Sequence, residues 1–458
     1  MIINIDKDLC TGCQECVKVC PTSAIEGNKG EPQEINSQKC VMCGQCVQVC
    51  KSYASLIDNG YEFIYEKRKE RNLPKSIKEP IFAAHNVCDV EKVKEALDDP
   101  NKFTIVQCAP AVRVAIGEEF GLSLGSLTPG KMAAALKNLN FDRVYDTNFP
   151  ADLTIMEEGS ELITRVTNGG TLPMFTSCCP AGVKFLEDNY PELTDHLSSC
   201  KSPQQMGGAV FKTYGAQINN VDPSKIYSVS IMPCTCKKYE AGRDEMNSSG
   251  YKDVDVVLTT REPAYLIKDM GIDFNNLDDE KFESPLGTYT GAGTIFGVTG
   301  GVMEAALRTG YELITKESIP SIDVNEVRGS EGFRRLDITV GNLNLKVGVV
   351  SGLKNVVHIL ESLKKGNLDL DFIEVMTCPL GCVSGGGQPK LLLEEYRNVA
   401  YKKRAESIYD HDRSLQFRKS HENPEIKKIY EEFLKEPLGS ISHHLLHTEY
   451  CIGKEVAK

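Results

Sequence analysis

Eight cysteines crowd into the first 50 residues of this 458-residue chain, and their spacing leaves few folds open. Residues 10–20 read CTGCQECVKVC, with Cys10, Cys13, Cys16 and Cys20 in C-x2-C-x2-C-x3-C spacing before a proline. Residues 40–50 repeat the pattern as CVMCGQCVQVC, with Cys40, Cys43, Cys46 and Cys50. Two-residue gaps let a tight loop wrap one corner of an iron–sulfur cubane, and in two-cluster ferredoxins the fourth cysteine of each run crosses to the other cluster. The spacing therefore predicts one 4Fe–4S cluster on Cys10, Cys13, Cys16 and Cys50, and a second on Cys20, Cys40, Cys43 and Cys46. Structural zinc, the rival reading, favours two widely separated CxxC pairs, which these runs are not. Such a module passes single electrons, so the rest of the chain must make or consume them.

Composition narrows the setting. The N-terminus, MIINIDKDLCTGC, has no basic segment leading into an apolar one, so no signal peptide is expected. Eighteen cysteines in such a chain point to metal binding in a reducing, cytoplasmic setting rather than to disulfides. Cys88 and Cys451 fit the blander role of buried small hydrophobes. A net charge of −12 argues against nucleic acid as a partner. No apolar run reaches the length of about 18 residues that a membrane span needs. The basic stretch YEKRKERNLPKSIKEP holds Lys67, Arg68, Lys69, Arg71, Lys75 and Lys78 and reads as a linker over 61–84. It is either a solvated face or a docking patch for an acidic electron carrier.

Beyond the linker, three segments, TSCCP, MPCTCKKYE and EVMTCPLGCVSGGGQP, supply Cys179, Cys234, Cys378 and Cys382, each segment following an apolar run. Apolar stretches at 104–109, 173–176, 227–232, 254–260, 345–351 and 371–376 read as strands, with helical patterns at 263–270 and 355–364. Strand–helix alternation predicts an α/β domain over 85–458 with largely parallel sheets, beside a ferredoxin-like α+β domain over 1–60. Ligands of parallel sheets bind beyond the carboxyl ends of the strands, where Cys178, Cys179, Cys234 and Cys378 fall. Adjacent side chains on extended backbone point opposite ways, so one of Cys178 and Cys179 should ligate while the other keeps a free thiol able to carry protons. The triple glycine Gly385–Gly387 suggests a backbone approaching something bulky. The run GAGTIFGVTGG lacks the glycine that a dinucleotide fingerprint requires where Phe296 sits, and reads instead as close helix packing.

These three segments, in this order, resemble the signatures of iron–iron (FeFe) hydrogenases, and APAVRVAIGEEFG, ADLTIMEEGSEL, SSCKSPQQMGG and RKSHENP extend the likeness over nearly the whole chain. The arrangement is similar to the shorter clostridial type with two accessory 4Fe–4S clusters. The resemblance implies parallel-sheet lobes around an H-cluster, a 4Fe–4S cubane joined to a diiron unit carrying CO, cyanide and a bridging azadithiolate. It implies that Cys179, Cys234, Cys378 and Cys382 hold the cubane, Cys382 also bridging to the diiron unit. Lys237 would bind a cyanide by a charge-assisted hydrogen bond. Met232 and Met376 would pack against the diiron unit, with Ala109, Pro110 and Ser177 in segments lining the same pocket. Cys178, Glu158, Ser198, Glu161 and Arg165 would carry protons, and a helix would place Glu158, Glu161 and Arg165 on one face. The implied reaction is 2 H⁺ + 2 e⁻ ⇌ H₂, with H₂ and protons as substrates. Ferredoxin or flavodoxin would be the electron partner, dedicated enzymes would mature the diiron unit, and the enzyme would be a monomer.

The chain also departs from the family pattern. It has no tryptophan, and Gly182 stands where the family usually has one; Cys108, Cys200 and Cys236 replace residues that are usually not cysteine. Three rival readings follow from the same segments. A non-catalytic iron–sulfur assembly relative would keep the cubane cysteines, but Cys178, Lys237, Met232 and Met376 would then lack a purpose. A hydrogen-sensing relative usually carries an added signalling domain, for which the residues after His447 are too few. A polyferredoxin would not need the large domain.

Overall fold

The computed structural model describes residues 1–74 and 79–450. Lys75, Lys78 and Cys451 lie outside the described residues. In the N-terminal module each cysteine run is a loop that turns into a short helix, Glu15–Val19 and Gln45–Val49. Both helices are entered through a left-handed residue, Gln14 at φ 61° and Gly44 at φ 74°. This sharp reversal packs three thiols into one turn of chain. Short antiparallel pairs brace the loops, Ile25–Glu26 against Glu34–Ile35 and Tyr53–Ala54 against Ile81–Phe82.

The stretch read as a linker folds onto this module. Tyr61–Glu70 is helical, and Ala84–Asn86 pairs antiparallel with Ile3–Ile5 at the chain's start. Several of its cations turn inward. Lys67 Nζ lies 2.7 Å from Asp8 and 3.3 Å from Asp6, Arg71 lies 2.7 Å from Asp6, and Arg68 donates to the Glu79 carbonyl at 2.5 Å. Asp6 and Asp8, beside the first cysteine loop, draw these charges in, and Asp6 sits below its ordinary pKa despite burial because Arg71 and Lys67 oppose that cost. Lys67, Arg68 and Arg71 are thereby spent inside the protein, so they do not form a docking patch for an acidic carrier.

The large domain contains two four-stranded sheets. The first runs Val256–Thr259, Ile226–Met232, Phe103–Cys108, Arg143–Asp146 and is parallel throughout. The second runs Phe333–Val340, Leu343–Ser351, Phe372–Met376, Met174–Phe175; only its first pair is antiparallel. All six expected strands are present. The central strands are buried along their length, as continuous apolar runs covered on both faces must be. The 21-residue helix Asn148–Asn168 is almost wholly buried over its first half. Gly293, in the run read as close helix packing, meets it so tightly that a Cβ would strike the Asn148 carbonyl. Helix Glu394–Ser414 is pinned by Arg404 to Glu118 at 2.6 Å and by Asp412 to Arg308 at 2.9 Å. The chain then returns to form an antiparallel bridge between His447 and Cys200. Among the described residues no helix is long and apolar enough to cross a membrane.

The two modules meet at the glycine-rich turn. Gln48 Nε2 donates to the carbonyls of Gly386 at 3.2 Å and Gln388 at 2.8 Å, and Thr235 Oγ1 donates to the Met42 carbonyl at 2.6 Å. A Cβ on Gly386 would collide with the Cys43 carbonyl and the Gly44 backbone, and one on Gly385 with the Pro233 carbonyl. The bulky neighbour of Gly385–Gly387 is therefore protein backbone, from the Cys43 loop on one side and the Cys234 segment on the other. Gly386→Ala should lower the unfolding free energy by about 1–3 kcal/mol, the usual cost of overpacking. Gly310→Ala, in a helix with no atom near its Cβ position, should instead be neutral or stabilising by up to about 1 kcal/mol. Denaturant melts of the two variants check the pair.

Candidate active site

Two sheets present their carboxyl ends to one cavity. The first contributes Ala109 and Pro110 beyond Phe103–Cys108, and Met232 and Cys234 at the end of Ile226–Met232. The second contributes Cys178 and Cys179 beyond Met174–Phe175, and Met376 and Cys378 at the end of Phe372–Met376; Cys382 follows in the next turn. Together with Lys237, these side chains line a cavity of ≈ 90 Å³ whose surface is almost entirely apolar. Ser177 is buried beside it and donates its hydroxyl to the Cys200 carbonyl at 2.6 Å.

Cys179 stands close enough to Cys234, Cys378 and Cys382 to help raise the pKa of all three, and Cys234 does the same to Cys378 and Cys382. Burial is the larger cause, pushing Cys234 to about 11 and Cys382 to about 12. Thr377 Oγ1 lies 3.1 Å from Cys179 Sγ, and Gln45 Nε2, from the N-terminal module, donates to Cys378 Sγ at 3.4 Å. In that module Cys16 feels Cys50, Cys10 and Cys13, whereas Cys40 feels Cys20, and Cys43 feels Cys40, Cys20 and then Cys234. The fourth cysteine of each run thus faces the opposite group, and the group containing Cys43 is the one that adjoins the large domain.

Adjacent Cys178 and Cys179 diverge. Cys179 caps helix Pro180–Asn189 and packs with the Phe175 and Val375 core, while Cys178 packs with Ala111, Phe296 and Met376. The Cys178 thiol is held far above its ordinary pKa by burial and by Glu158. Glu158 is pushed up to about 8, first by burial and next by Glu161. Its two oxygens have no partner in hydrogen-bonding geometry among the described residues, although the Ser198 hydroxyl and Ser177 amide lie near enough to offset part of the rise. Ser198 donates to Glu161 Oε2 at 2.8 Å, the Ser199 amide reaches both Glu161 oxygens at 3.1 Å, and Arg165 Nη2 donates to Oε1 at 2.6 Å. Arg165, at the solvent edge, also binds the Leu197 and Asp195 carbonyls.

Lys237 donates to the Cys178 carbonyl at 3.1 Å and to Glu240 at 2.9 Å, and this pairing keeps it cationic despite burial. Ser202 and Gln204 hold Glu240 in turn, at 2.9 and 3.0 Å. Sequence reasoning missed Glu240, although KKYE places it three residues after Lys237, on the same helical face. It also missed Gln45 and Thr377, whose contacts to sulfur come from tertiary packing alone.

Residues 102–386 match the family model "Iron only hydrogenase large subunit, C-terminal domain". The chain belongs to the iron-only hydrogenase family. Residues 2–51 match a 4Fe–4S dicluster domain, and residues 398–451 match an iron hydrogenase small subunit, here within the same polypeptide. The chain is 45% identical over 455 residues to the NADP-reducing hydrogenase subunit HndD of Solidesulfovibrio fructosivorans, covering 98% of this chain and 67% of that one. It is 43% identical over 372 residues to iron hydrogenase 1 of Clostridium pasteurianum, covering 81% of this chain and 65% of that one. It thus spans about two thirds of each relative's length. A variant of [FeFe]-hydrogenase HydA1 from Chlamydomonas reinhardtii aligns with a TM-score of 0.70 at 41% identity, over 79% of this chain and 99% of that one.

Iron–sulfur clusters and an H-cluster are the groups that this family and the dicluster domain imply. The residues fit them. Soft thiols gather in three groups, the group in the large domain faces an apolar cavity, and buried Lys237 lines the same cavity as the one cation among its lining side chains. The Glu158 oxygens, buried beside Cys178, have no hydrogen-bond partner among the described residues. Because burial raises the Glu158 pKa from 4.5 to about 8, the folded protein keeps a proton that the unfolded chain has lost. Its contribution to stability is complete below pH 4.5 and is lost as pH rises through about 8. A protonated-carboxyl infrared band should be present at pH 7, fade as pH rises above about 8, and be missing in Glu158→Gln.

Proposed function

We propose that this chain interconverts protons and dihydrogen, 2 H⁺ + 2 e⁻ ⇌ H₂, with electrons arriving singly through the N-terminal clusters. The observation that carries the reading is the divergence of two neighbouring thiols: Cys179 faces the other cluster cysteines, while Cys178 enters the cavity with Glu158 behind it. Cys179, Cys234, Cys378 and Cys382 would hold the H-cluster, Cys382 serving both its cubane and a diiron unit that would bear CO, cyanide and azadithiolate. When bound, that cluster supplies the open iron position at which hydrogen is made or split.

The protein's own residues bind, insulate and move protons. Lys237, kept charged by Glu240, offers its ammonium to a cyanide. Met232, Met376, Ala109 and Pro110 exclude water, and Ser177 braces the Cys178 segment through the Cys200 carbonyl. Cys178 stays a thiol at neutral pH, so it can deliver a proton without lingering as a thiolate. Glu158, balanced near neutrality, passes the proton to Ser198 and Glu161. Glu161 hands it to solvent at the Arg165 edge. Cys10, Cys13, Cys16 and Cys50 would hold one accessory cluster and Cys20, Cys40, Cys43 and Cys46 the other, each supplying one-electron transfer, and Gln45 links the second group to Cys378. The electron partner is a ferredoxin or flavodoxin, dedicated enzymes supply the diiron unit, and the setting is an anaerobic cytoplasm.

After maturation, Cys178→Ala should lower both H₂ uptake and H₂ production by at least about 100-fold, the scale of general acid–base catalysis. Its intrinsic CO and cyanide infrared bands should remain. Equal turnover in wild type and variant would remove Cys178 from the path, and missing bands in fully matured wild type would favour the assembly-protein reading instead.

A further inference from the structure

The C-terminal segment brings a histidine to the proton-carrying side of the site. Its path is fixed by backbone pairing: Lys201 N donates to the Leu446 carbonyl and Thr448 N to the Ser199 carbonyl, both at 2.8 Å, around the Cys200–His447 bridge. This register places His447 Nδ1 3.9 Å from Cys200 Sγ and 2.8 Å from Ser199 Oγ. A Glu161 oxygen completes the group, and the oxygen, sulfur and nitrogen donors all lie within 4.8 Å of one another. All three residues are buried.

Two further features distinguish this group from a chance polar cluster. The other ring nitrogen, His447 Nε2, lies 3.0 Å from Glu157 Oε2. Glu157 is itself fixed by the Tyr430 hydroxyl at 2.5 Å and the Leu438 amide at 2.8 Å. A carboxylate that receives the far N–H of a histidine fixes its tautomer and makes the near nitrogen an acceptor, here of the Ser199 hydroxyl, which a cation would have to displace; this is the arrangement found behind metal-ligating histidines. Charge points the same way. Glu157 and Glu161 both bear on Cys200, and Arg165 is paired to only one of them.

We propose that Glu161, Cys200 and His447 form a site for a thiophilic divalent cation of the Zn²⁺ class, and that its occupancy closes the proton route. One carboxylate, one thiolate and one imidazole form a mixed donor set suited to zinc, with a water in the fourth position. Bond lengths of about 2.0–2.3 Å place tetrahedral donors roughly 3.5 Å apart, so closure from the observed spacing needs movements of about an ångström. Binding displaces a proton from the Cys200 thiol and engages a Glu161 oxygen. A carboxylate committed to a cation no longer accepts a proton from Ser198, so occupancy interrupts transfer between Glu158 and Arg165. This closure rests on the relay proposed above; the binding does not.

Zinc K-edge X-ray absorption tests the site on the iron–sulfur-loaded chain, with iron measured in the same sample. The expected result is one zinc per chain at unchanged iron content, with a single sulfur at about 2.3 Å and the remaining ligands nitrogen or oxygen. Cys200→Ser should lose the sulfur shell, and His447→Gln should weaken binding measured by competition with a chelator. Glu157→Gln, which keeps shape but not charge, should weaken it by roughly ten- to a hundred-fold. Zinc bound by several sulfurs with loss of iron, or a spectrum unchanged in Cys200→Ser, would overturn the site. In matured enzyme, Zn²⁺ should suppress H₂ turnover of wild type but not of Cys200→Ser, each normalised to its own zinc-free rate. Zinc bound with the expected shell but without effect on turnover would sink the closure and leave the metal site standing.

Discussion

Thiols buried without counter-charges are the constraint from which the rest of this structure follows. Desolvation pushes Cys16 and Cys234 to about 11 and Cys43 and Cys382 to about 12, and holds Cys46 and Cys378 well above the ordinary thiol range. As thiolates in apolar surroundings these groups would be costly; as thiols they are tolerable small hydrophobes. Iron changes the balance by replacing the protons, and its binding is coupled to proton release and to the order of the loops. This is why the cysteines sit on tight turns fixed by strands, helices and glycines rather than on free loops. The cation that remains near the catalytic group, Lys237, has its own carboxylate, so it is not drawn into pairing with the thiols.

The same constraint governs how the modules join. The gap between the Cys43 group and the large domain's cysteines is closed by backbone. The Cys43 loop lies against the turn that carries Cys382, with Gly44 and Gly386 allowing contact where no Cβ would fit. Gln45, the first residue of the helix after that loop, reaches across to Cys378 Sγ. The N-terminal module is also tied down from behind, since Arg261 donates to the carbonyls of Gly386 at 3.2 Å and Gln388 at 2.9 Å and to Asn86 Oδ1 at 2.7 Å. One arginine therefore fixes both sides of the junction.

What the sequence disclosed follows from how local each signal is. The cysteine runs are local, and so is the crossing of Cys20 and Cys50, because a repeated motif constrains its own pairing. The six expected strands were legible because apolar residues run through them without a charged end, down to the two residues of Met174–Phe175. Arg143–Asp146 was not, being four residues with a charge at each end, and Phe333–Val340 was not, because it is an edge strand that alternates exposed and buried side chains. The basic stretch after residue 61 looks solvated only while Asp6 and Asp8 are unplaced. The triple glycine was read correctly as a close approach, but its neighbour was protein backbone, which no one-dimensional pattern reveals. Glu158 was legible only through the family resemblance, because its burial depends on helix Asn148–Asn168 lying inside the domain.

The proton side depends on a property of extended chain that needs no cofactor to explain it. Consecutive residues after a strand alternate in direction, so Cys178 and Cys179 must serve different neighbourhoods. Cys179 turns toward Cys234, Cys378 and the N-terminal module; Cys178 turns toward Glu158 and the long helix. The two thiols thereby enter separate neighbourhoods of a single cavity, divided at one peptide bond. The C-terminal segment reinforces the division: it pairs with residues 199–201, on the Ser198 and Glu161 side, and leaves the glycine-rich turn to the N-terminal module.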